Sequence, residues 1–524
     1  MSLRRSLILS FLLTIPVILF VIHHYTRHSA DLHPTGFTNS ENVLYMSYAH
    51  QYLDQQPPSL FYSNPFDGDP NSARIYFQPV NFLFAACLKT GIDPGMVFTL
   101  FGLIMAFGTI YLGVRILHHL IPEHKYFTLV TVLFTWGGGL TAITGLASAF
   151  VSGTPTESWI DGIYLADPAN GWWALNWGRN LFIPLEAWYH FLFLLNIYLV
   201  LKRKWTAATL AVILLSFSHP FTGIEYLSII IGWLSLEKIF FKNKNIPYWF
   251  AGTMVGIAIL HAWYYLIYLN QFEEHRQLFS QYSASWTYSF RVFIPAYALV
   301  FLLVAANYWR NKPLFKFLYN PNQRLFLCWT FIAFLLSKHE WFMRPMQPIH
   351  FTRGYVWAGL FLLGIPGLLW LIEYLRKNNT RRIILVAGVL LFLCDNILWI
   401  GNHLRGKEHS EWEGYLKKNT IEVFNYLAHN SSPNDLIVGH ASLINYMANV
   451  YTPANAWVSH PYNTPAFDQR MQVMTDYLKT GIPVHQWTGR RLLIVINKQQ
   501  QVEVNEMLKK NKLFENDSYL VVTP

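Results

Sequence analysis

Long apolar stretches recur along this sequence, and they constrain its fold more than any other feature. A helix that crosses the hydrocarbon core of a membrane needs about 20 mostly apolar residues. Such stretches lie at residues 6–23, 95–117, 126–147, 182–201, 206–218, 222–236, 247–268, 289–308, 325–338, 354–374 and 383–401. The sequence therefore predicts a mainly α-helical, polytopic membrane protein with about eleven transmembrane helices. The pair at 206–218 and 222–236 is short, and it also fits two half-depth helices.

The charged residues agree with a membrane protein and orient it. Only 13% of the residues are charged, whereas soluble domains carry about 25%. Alternate connections, taken as cytoplasmic, hold most of the bases: Arg4, Arg5, Lys125, Lys202, Arg203, Lys204, Lys238, Lys242, Lys244, Arg310, Lys312, Lys316, Arg324, Arg376, Lys377, Arg381 and Arg382. By the positive-inside rule, the N-terminus lies in the cytoplasm and the C-terminus outside. The net charge of +10 follows from this topology, and no aromatic-interleaved basic patch indicates a nucleic-acid partner.

Two outward connections are long, and a separate domain follows the last apolar stretch. The long connections cover residues 24–94 and 148–181, whereas the cytoplasmic ones are short. After residue 401 the apolar runs "DLIVG", "AWVS", "LLIVIN" and "YLVV" alternate with the helical patterns "QRMQVMTDYLK" and "QVEVNEMLKK". This alternation predicts a small extracytoplasmic α/β domain with a largely parallel sheet. We therefore divide the chain into a membrane domain, 1–401, and a soluble domain, 402–524.

Four short motifs, in this order, resemble those of a known superfamily. They are "SENVLYMSYAHQYLDQQPPSLFYSNPF" after the first span, "LSFSHPFTG" between two short helices, "HFTRGYVWAGLFLLGIP" at a late span and "AWVSHPYNTPAFDQR" in the C-terminal domain. Together with the order of spans and loops, they resemble the GT-C membrane glycosyltransferases, particularly bacterial members that use polyprenyl-phosphate-linked sugars. The resemblance runs through most of the chain. It implies an inverting transfer of a sugar from a polyprenyl-phosphate donor to an acceptor hydroxyl at the outer face.

Glu41 stands where the resemblance places the catalytic acid. A hydroxyl that attacks an anomeric carbon needs a carboxylate to take its proton. Many members carry paired acids at this point, whereas here Ser40 and Asn42 flank a single glutamate. The residues alone support a second interpretation, because Thr38-Asn39-Ser40-Glu41 is a capping-box pattern with Thr38 as the helix N-cap. Both interpretations of Glu41 stay open at this point.

Further candidate residues lie in the second long outer connection. "ESWIDGIYLADPANGWWALNWGRN" sets Asp161, Asp167 and Arg179 among four tryptophans. Aromatic rings beside acids suit a sugar site, since the rings stack on the C–H faces of the sugar and the carboxylates accept hydrogen bonds from its hydroxyls. Tryptophans near a span also form the usual interfacial belt, which is the alternative.

The remaining candidates come from the late span and the C-terminal domain. Arg344, His350 and Arg353 lie just outside the tenth span, where an arginine can bind a phosphate with two hydrogen bonds. The alternative is that these residues only anchor the span at the interface. His460 belongs to the His-x-x-x-Thr loop and is a substrate-binding candidate through the resemblance. His219 precedes Pro220, where a capping and packing role is favoured.

Three acids, Glu186, Glu225 and Asp395, lie within or near apolar spans. Intramembrane acids are functional candidates, and the sequence does not rank these three. We assign no metal ligands and no cofactor, with a divalent cation as the one candidate. The three cysteines, Cys87, Cys328 and Cys394, lie in apolar segments and indicate no disulfide framework.

The predicted partners are a polyprenyl-phosphate-linked sugar, a glycan, lipid or protein acceptor, and membrane lipids. The predicted location is a bacterial inner membrane, with the C-terminal domain in the periplasm or outside the cell. Three other functions fit the same features: a polymerase or ligase of lipid-linked glycans, a flippase, and a non-catalytic membrane receptor. A transporter would favour repeated halves with polar breaks, and the sequence shows no internal repeat.

The charge asymmetry generates a topology prediction. Residues 31–94 and the segment after 401 should lie outside the cytoplasm. An alkaline phosphatase fused to the C-terminus should therefore be active, and a fluorescent protein fused there should be dark. An inactive phosphatase fusion together with a fluorescent protein that fluoresces would show the opposite orientation. That result would remove the basis for a site at the outer face.

Overall fold

The chain forms two compact units in the computed structural model. The model describes residues 2–53, 59–69, 72–153, 176–281, 285–310, 319–440, 442–500 and 504–524. The first, which we call the helical unit, comprises Met1–Val21, Gly102–Trp263 and Ala284–Arg405. The second, the sheet unit, comprises Ile22–Phe101, Tyr264–Ser283 and Gly406–Pro524. The predicted division after residue 401 lies close to the one at Arg405, but the sheet unit also includes the whole of the first long connection, residues 24–94.

Helices coincide with all eleven predicted apolar stretches. Among the described residues, seven helices are long and apolar enough to cross a membrane: Leu3–Thr26, Pro94–Leu120, Pro184–Leu201, Tyr248–Gln271, Phe290–Arg310, Pro348–Leu375 and Asn379–Leu404. An eighth span results if the bent pair Phe127–Trp136 and Thr141–Val151 counts as one. Trp205–Ser218, Pro220–Ser235 and Pro321–Ser337 are shorter, with 14, 16 and 17 residues. The chain is thus an integral, multi-pass membrane protein, and the number of crossings stays a prediction.

The bend between Phe127–Trp136 and Thr141–Val151 has a local cause. The two helices meet at 52° across Gly137-Gly138-Gly139-Leu140. A Cβ on Gly139 would lie 2.3 Å from the Ala296 carbonyl oxygen, so this position excludes a side chain. The Asp395 carboxyl group accepts hydrogen bonds from the amides of Gly139 (2.9 Å) and Ala142 (2.8 Å) and from the Thr141 hydroxyl (3.0 Å). Asp395 therefore satisfies the N-terminal donors of the second helix, where an acid is also favoured by the helix dipole.

Close packing joins the helices Phe290–Arg310 and Tyr355–Leu375. Two glycines of the second helix allow the approach, because a Cβ on Gly367 would lie 2.2 Å from the Leu303 carbonyl oxygen and one on Gly364 would lie 2.7 Å from the Leu303 Cβ. The Asn307 amide donates to the Leu363 carbonyl at 2.8 Å. Small residues and an interhelical hydrogen bond are the usual means by which membrane helices associate. This contact fixes the helix that begins directly after Arg353.

The sheet unit contains two sheets. In the small one, β1 (Leu32–Pro34) pairs antiparallel with β2 (Tyr415–Lys417). The larger one contains β3 (Leu436–Val438), β4 (Asn455–Ala456), β5 (Leu492–Asn497), β6 (Asn511–Glu515) and β7 (Tyr519–Thr523), in the order β4-β3-β5-β7-β6. Its helices are Lys418–Asn430, Ser442–Tyr451 and Phe467–Thr480. Asn42–His50, Pro79–Leu88 and Glu273–Gln281 complete the unit.

The predicted largely parallel sheet is only half right. β3 pairs parallel with β4 and β5, but β5–β7 and β7–β6 are antiparallel. The sequence assigned residues 501–510 to a helix, which would have allowed a parallel crossover. The described part of that stretch holds a single short turn, Glu506–Lys509, and β6 follows directly. β6 and β7 then form a hairpin, since parallel strands need a crossover of a dozen or more residues.

The capping role of Asp395 gives a stability prediction. Asp395→Asn keeps the size of the side chain but replaces one acceptor oxygen with an NH₂ group that faces backbone donors. We expect the free energy of unfolding in detergent to fall by about 2 kcal/mol, measured by thermal denaturation. Gly388→Ala is the control on the same helix, because a Cβ there meets nothing within 4 Å. Equal melting temperatures for both variants would show that Asp395 does not hold the bend.

Candidate functional site

Arg353 lies in a constrained turn of the helical unit. Its φ is +23°, a left-handed value that is uncommon outside glycine, and Gly354 follows with φ +81°. A Cβ on Gly354 would lie 2.2 Å from the Trp177 amide nitrogen, so no other residue fits there. The His190 Nε2 atom lies 2.7 Å from the Arg353 carbonyl oxygen. Backbone strain of this kind persists only where the surroundings fix it, and it is common at functional sites.

The Arg353 guanidinium is buried and paired. Its Nη1 donates to the Glu186 carboxylate, and its Nη2 lies within hydrogen-bond distance of the His350 Nδ1. The side chains of Arg353 and Glu186 are 4% and 6% exposed. Removing one partner of such a pair leaves an uncompensated buried charge, which typically costs about 3–5 kcal/mol. Arg353 is therefore part of the folded structure and not only a flexible anchor for its span.

A second histidine, His219, lies beside His350 next to this pair. The rings of His219 and His350 lie 5.9 Å apart. His219 stacks on Tyr189 at 4.4 Å, and His350 stacks on Phe221 at 4.6 Å. The Thr222 amide donates to His219 Nδ1 at 3.1 Å, so His219 caps the helix Pro220–Ser235. The predicted capping and packing role of His219 is confirmed.

The structure separates the three acids that the sequence left unranked. Asp395 caps a helix, Glu186 pairs with Arg353, and Glu225 is fully buried close enough to act electrostatically on Arg353. Both Glu225 carboxyl oxygens lack a hydrogen-bond partner within the described part of the chain. For all three acids, the only signal in the sequence was their position inside an apolar stretch. Such a position indicates a functional role but does not identify that role.

The other residues predicted for this region are dispersed. Arg179 is buried and donates to the Asn396 side chain at 3.2 Å and to the Asp395 carbonyl at 3.0 Å. Arg344 is exposed. Asp161 and Asp167 lie outside the described residues. The structure thus brings together Arg353 and His350, and the substrate-binding roles of all six residues stay predictions.

Glu41 lies in the sheet unit, directly before the helix Asn42–His50. The Glu41 side chain is exposed, and its amide donates to the Asn39 side-chain oxygen at 2.9 Å. The helix begins later than the capping-box pattern predicts, so the alternative with Thr38 as N-cap is wrong in its register. The Tyr446 hydroxyl donates to the Ser40 carbonyl at 2.7 Å, which fixes the turn that carries Glu41.

The His-x-x-x-Thr loop closes on itself around His460. The Thr464 hydroxyl accepts from the His460 amide at 3.1 Å, and His460 Nδ1 accepts from the Tyr462 amide at 3.2 Å. The Asn463 side chain lies 2.9 Å from the same nitrogen. Burial lowers the pKa of His460 to about 4, so its imidazole is neutral at pH 7. Its Nδ1 is therefore an acceptor, and a role in binding a substrate stays a prediction.

No group of three or more His, Cys, Asp or Glu side chains within the described ranges could hold a metal ion. The Asp67 carboxylate, which follows the first-loop motif, accepts from Arg470 Nη2 at 2.8 Å. The divalent cation therefore stays a candidate from the sequence, without a site assigned to it.

Comparison with solved structures gives distant matches over nearly the whole chain. ArnT from Cupriavidus metallidurans bound to undecaprenyl phosphate matches with a TM-score of 0.48 and 12% identity, covering 100% of this chain and 98% of ArnT. The apo state of that protein gives a TM-score of 0.47 and 10% identity, with coverages of 97% and 96%. The apo oligosaccharyltransferase of Archaeoglobus fulgidus gives 0.46 and 10%, with coverages of 94% and 69%. No protein-family model and no curated protein matches the sequence.

Proposed function

We propose that this protein is an inverting glycosyltransferase that moves a hexose or pentose from a polyprenyl-phosphate donor to an acceptor hydroxyl at the outer face of the membrane. The observation that carries the proposal is Arg353, a guanidinium held by a strained turn at the start of a membrane-spanning helix. The sequence motifs that surround Arg353 and Glu41 support the same function. The bacterial inner membrane, with the sheet unit in the periplasm or outside the cell, is part of this proposal.

Arg353 would bind the phosphate of the donor lipid. A guanidinium matches phosphate oxygens with two parallel hydrogen bonds, and it keeps its charge at every physiological pH. His350, beside it, could contribute a further hydrogen bond. Cationic groups that contact a departing phosphate stabilise the charge that develops on it in the transition state.

Glu41 would act as the general base. The acceptor hydroxyl gives its proton to the Glu41 carboxylate as its oxygen forms a bond to the anomeric carbon. The bond between that carbon and the phosphate oxygen breaks, and the phosphate leaves with the electron pair. A single displacement of this kind inverts the anomeric configuration. Glu41 is exposed, so an acceptor can reach it.

The role of Arg353 is tested with a variant that also changes its buried partner. Arg353→Ala alone would strand Glu186, so the informative variant is the double change Arg353→Gln with Glu186→Gln. Loss of a charge-assisted contact should weaken binding of a polyprenyl phosphate in detergent by about ten- to a hundredfold. Glu186→Gln alone should bind at least as tightly as the wild type, because it removes a competing anion.

The geometry of the guanidinium supplies a further check on Arg353. Arg353→Lys should recover only part of the affinity, since an ammonium cannot form the two-pronged contact. The double variant and Arg353→Lys must first show wild-type melting temperatures within a few degrees, whereas Glu186→Gln must only remain folded, because it removes the carboxylate that compensates the buried Arg353 charge. Unchanged affinity in the folded double variant would leave Arg353 as a purely structural residue.

Glu41→Gln is the test of the general base. The substitution removes the proton acceptor but keeps the size of the side chain, so glycosyl transfer should fall by about 10²- to 10⁴-fold. Donor binding and melting temperature should hold. Glu413→Gln is the matched control, since Glu413 also lies near Tyr446 but is not assigned a role. Full transfer activity in Glu41→Gln would show that Glu41 is not the general base.

A further inference from the structure

Aromatic rings form a continuous row beside Glu41 in the sheet unit. The ring centroids of Tyr45 and Tyr48 lie 6.0 Å apart, and Tyr48 contacts Phe66 at 6.0 Å. Phe66 contacts Tyr446 at 6.3 Å, and Tyr446 contacts His460 at 5.2 Å. Tyr462 ends the row, 5.7 Å from His460. We call these six residues the aromatic row.

Glu41 lies beside the aromatic row. Glu41 is the N-cap of the helix that carries Tyr45, which follows it by four residues, about one helical turn. Tyr446 is fixed to the same turn through its hydrogen bond to Ser40. Burial, with the nearby carboxylates of Glu413 and Glu41, holds the pKa of Tyr446 above its usual range, so its hydroxyl stays protonated. The candidate base therefore lies next to neutral aromatic side chains.

The aromatic row contains some rings that are buried and others that are accessible to solvent. Phe66 and Tyr446 are buried, whereas Tyr45, Tyr48 and His460 are half-buried and Tyr462 is 50% exposed. If the row served only as a hydrophobic core, its end residues would be covered as well. The buried rings hold the row in place, and the outer rings remain accessible to a ligand.

Fixed polar groups lie among the rings. The Tyr48 hydroxyl donates to the Asn463 side-chain oxygen at 3.4 Å, and the Asn463 amide lies 2.9 Å from the His460 ring. The Asn64 side chain donates to the Asn463 carbonyl at 2.8 Å. The row itself contains no basic side chain, and His460 is neutral at pH 7. This combination of apolar ring faces, neutral hydrogen-bonding groups and the nearby carboxylates of Glu41 and Glu413 suits a neutral, hydroxyl-rich ligand better than a phosphate.

We infer that the aromatic row binds a saccharide, and that the acceptor of the proposed transfer is a hydroxyl of a glycan. This inference rests on the proposed function, because it names the acceptor class for the reaction at Glu41. The C–H faces of a sugar ring are apolar and pack against aromatic faces, while its hydroxyls donate to carboxylate and amide oxygens. Several rings in sequence provide for more than one sugar unit. A protein or lipid acceptor would not need an extended row of this composition.

The experiment uses the source organism with the gene deleted and restored as variants. Envelope glycans, lipids and proteins are separated, and the sugar composition of each fraction is compared with the wild type. The deletion should remove one sugar from the glycan fraction. Restoration with Tyr462→Ala or Tyr45→Ala should return that sugar about five- to tenfold more slowly, because one stacking contact is lost. Tyr319→Ala is the control, since Tyr319 is 75% exposed in the helical unit and should restore fully.

The outcomes separate this inference from the proposed function. Each variant is first shown to reach wild-type abundance and melting temperature. A sugar lost from the lipid or protein fraction would overturn the glycan acceptor but keep the transferase. Full restoration by both Tyr462→Ala and Tyr45→Ala would show that the aromatic row is not the acceptor site. No sugar lost from any fraction of the deletion strain would overturn the proposed function itself.

Discussion

The structure of the helical unit depends on a single constraint: a charge buried among apolar helices must be compensated by a partner there. Water is not at hand to solvate it, so an unpaired charge is costly. Three arrangements meet this constraint. Asp395 accepts from the amides of a helix N-terminus, Arg324 donates to Glu237 at 2.9 Å, and Arg353 pairs with Glu186. Each joins elements that are far apart in the sequence.

The same constraint explains how far sequence reasoning reached in the helical unit. Apolar length predicted where the helices lie, because hydrophobic stretches of this length have few other stable arrangements. The predicted number of about eleven crossings stays a prediction, since helices of 14 to 17 residues and a bend of 52° fall between a span and a half-span. Single acids such as Glu186 were visible as exceptions in apolar segments. Their partners were not, because pairing across the bundle leaves no local pattern.

In the sheet unit, the sequence predicted central strands but missed an edge strand and a long-range strand pairing. The strong apolar runs Leu436–Val438 and Leu492–Asn497 were predicted as strands and are strands. The edge strand Asn511–Glu515 was missed, because edge strands are polar and lack a clear alternation. The pairing of Leu32–Pro34 with Tyr415–Lys417 was also missed. This pairing joins segments nearly four hundred residues apart, and it ties the segment that precedes Glu41 to this unit. No short motif encodes such a contact.

The pairing of Arg353 with Glu186 also bears on how a phosphate would bind. A carboxylate and a phosphate are both anions that accept two hydrogen bonds from a guanidinium, so they compete for the same donors. The pair keeps the arginine charged and oriented in the absence of a ligand, when an isolated cation in the bundle would be costly. Under the proposed function, a phosphate would therefore meet a guanidinium that is already desolvated and fixed by a strained backbone, which would lower the entropy lost on binding. Part of the attraction between the guanidinium and the phosphate would be offset, because the phosphate must replace Glu186 or share the guanidinium with it. A buried ion pair at this position thus favours selective binding of a doubly coordinating anion over tight binding of any anion.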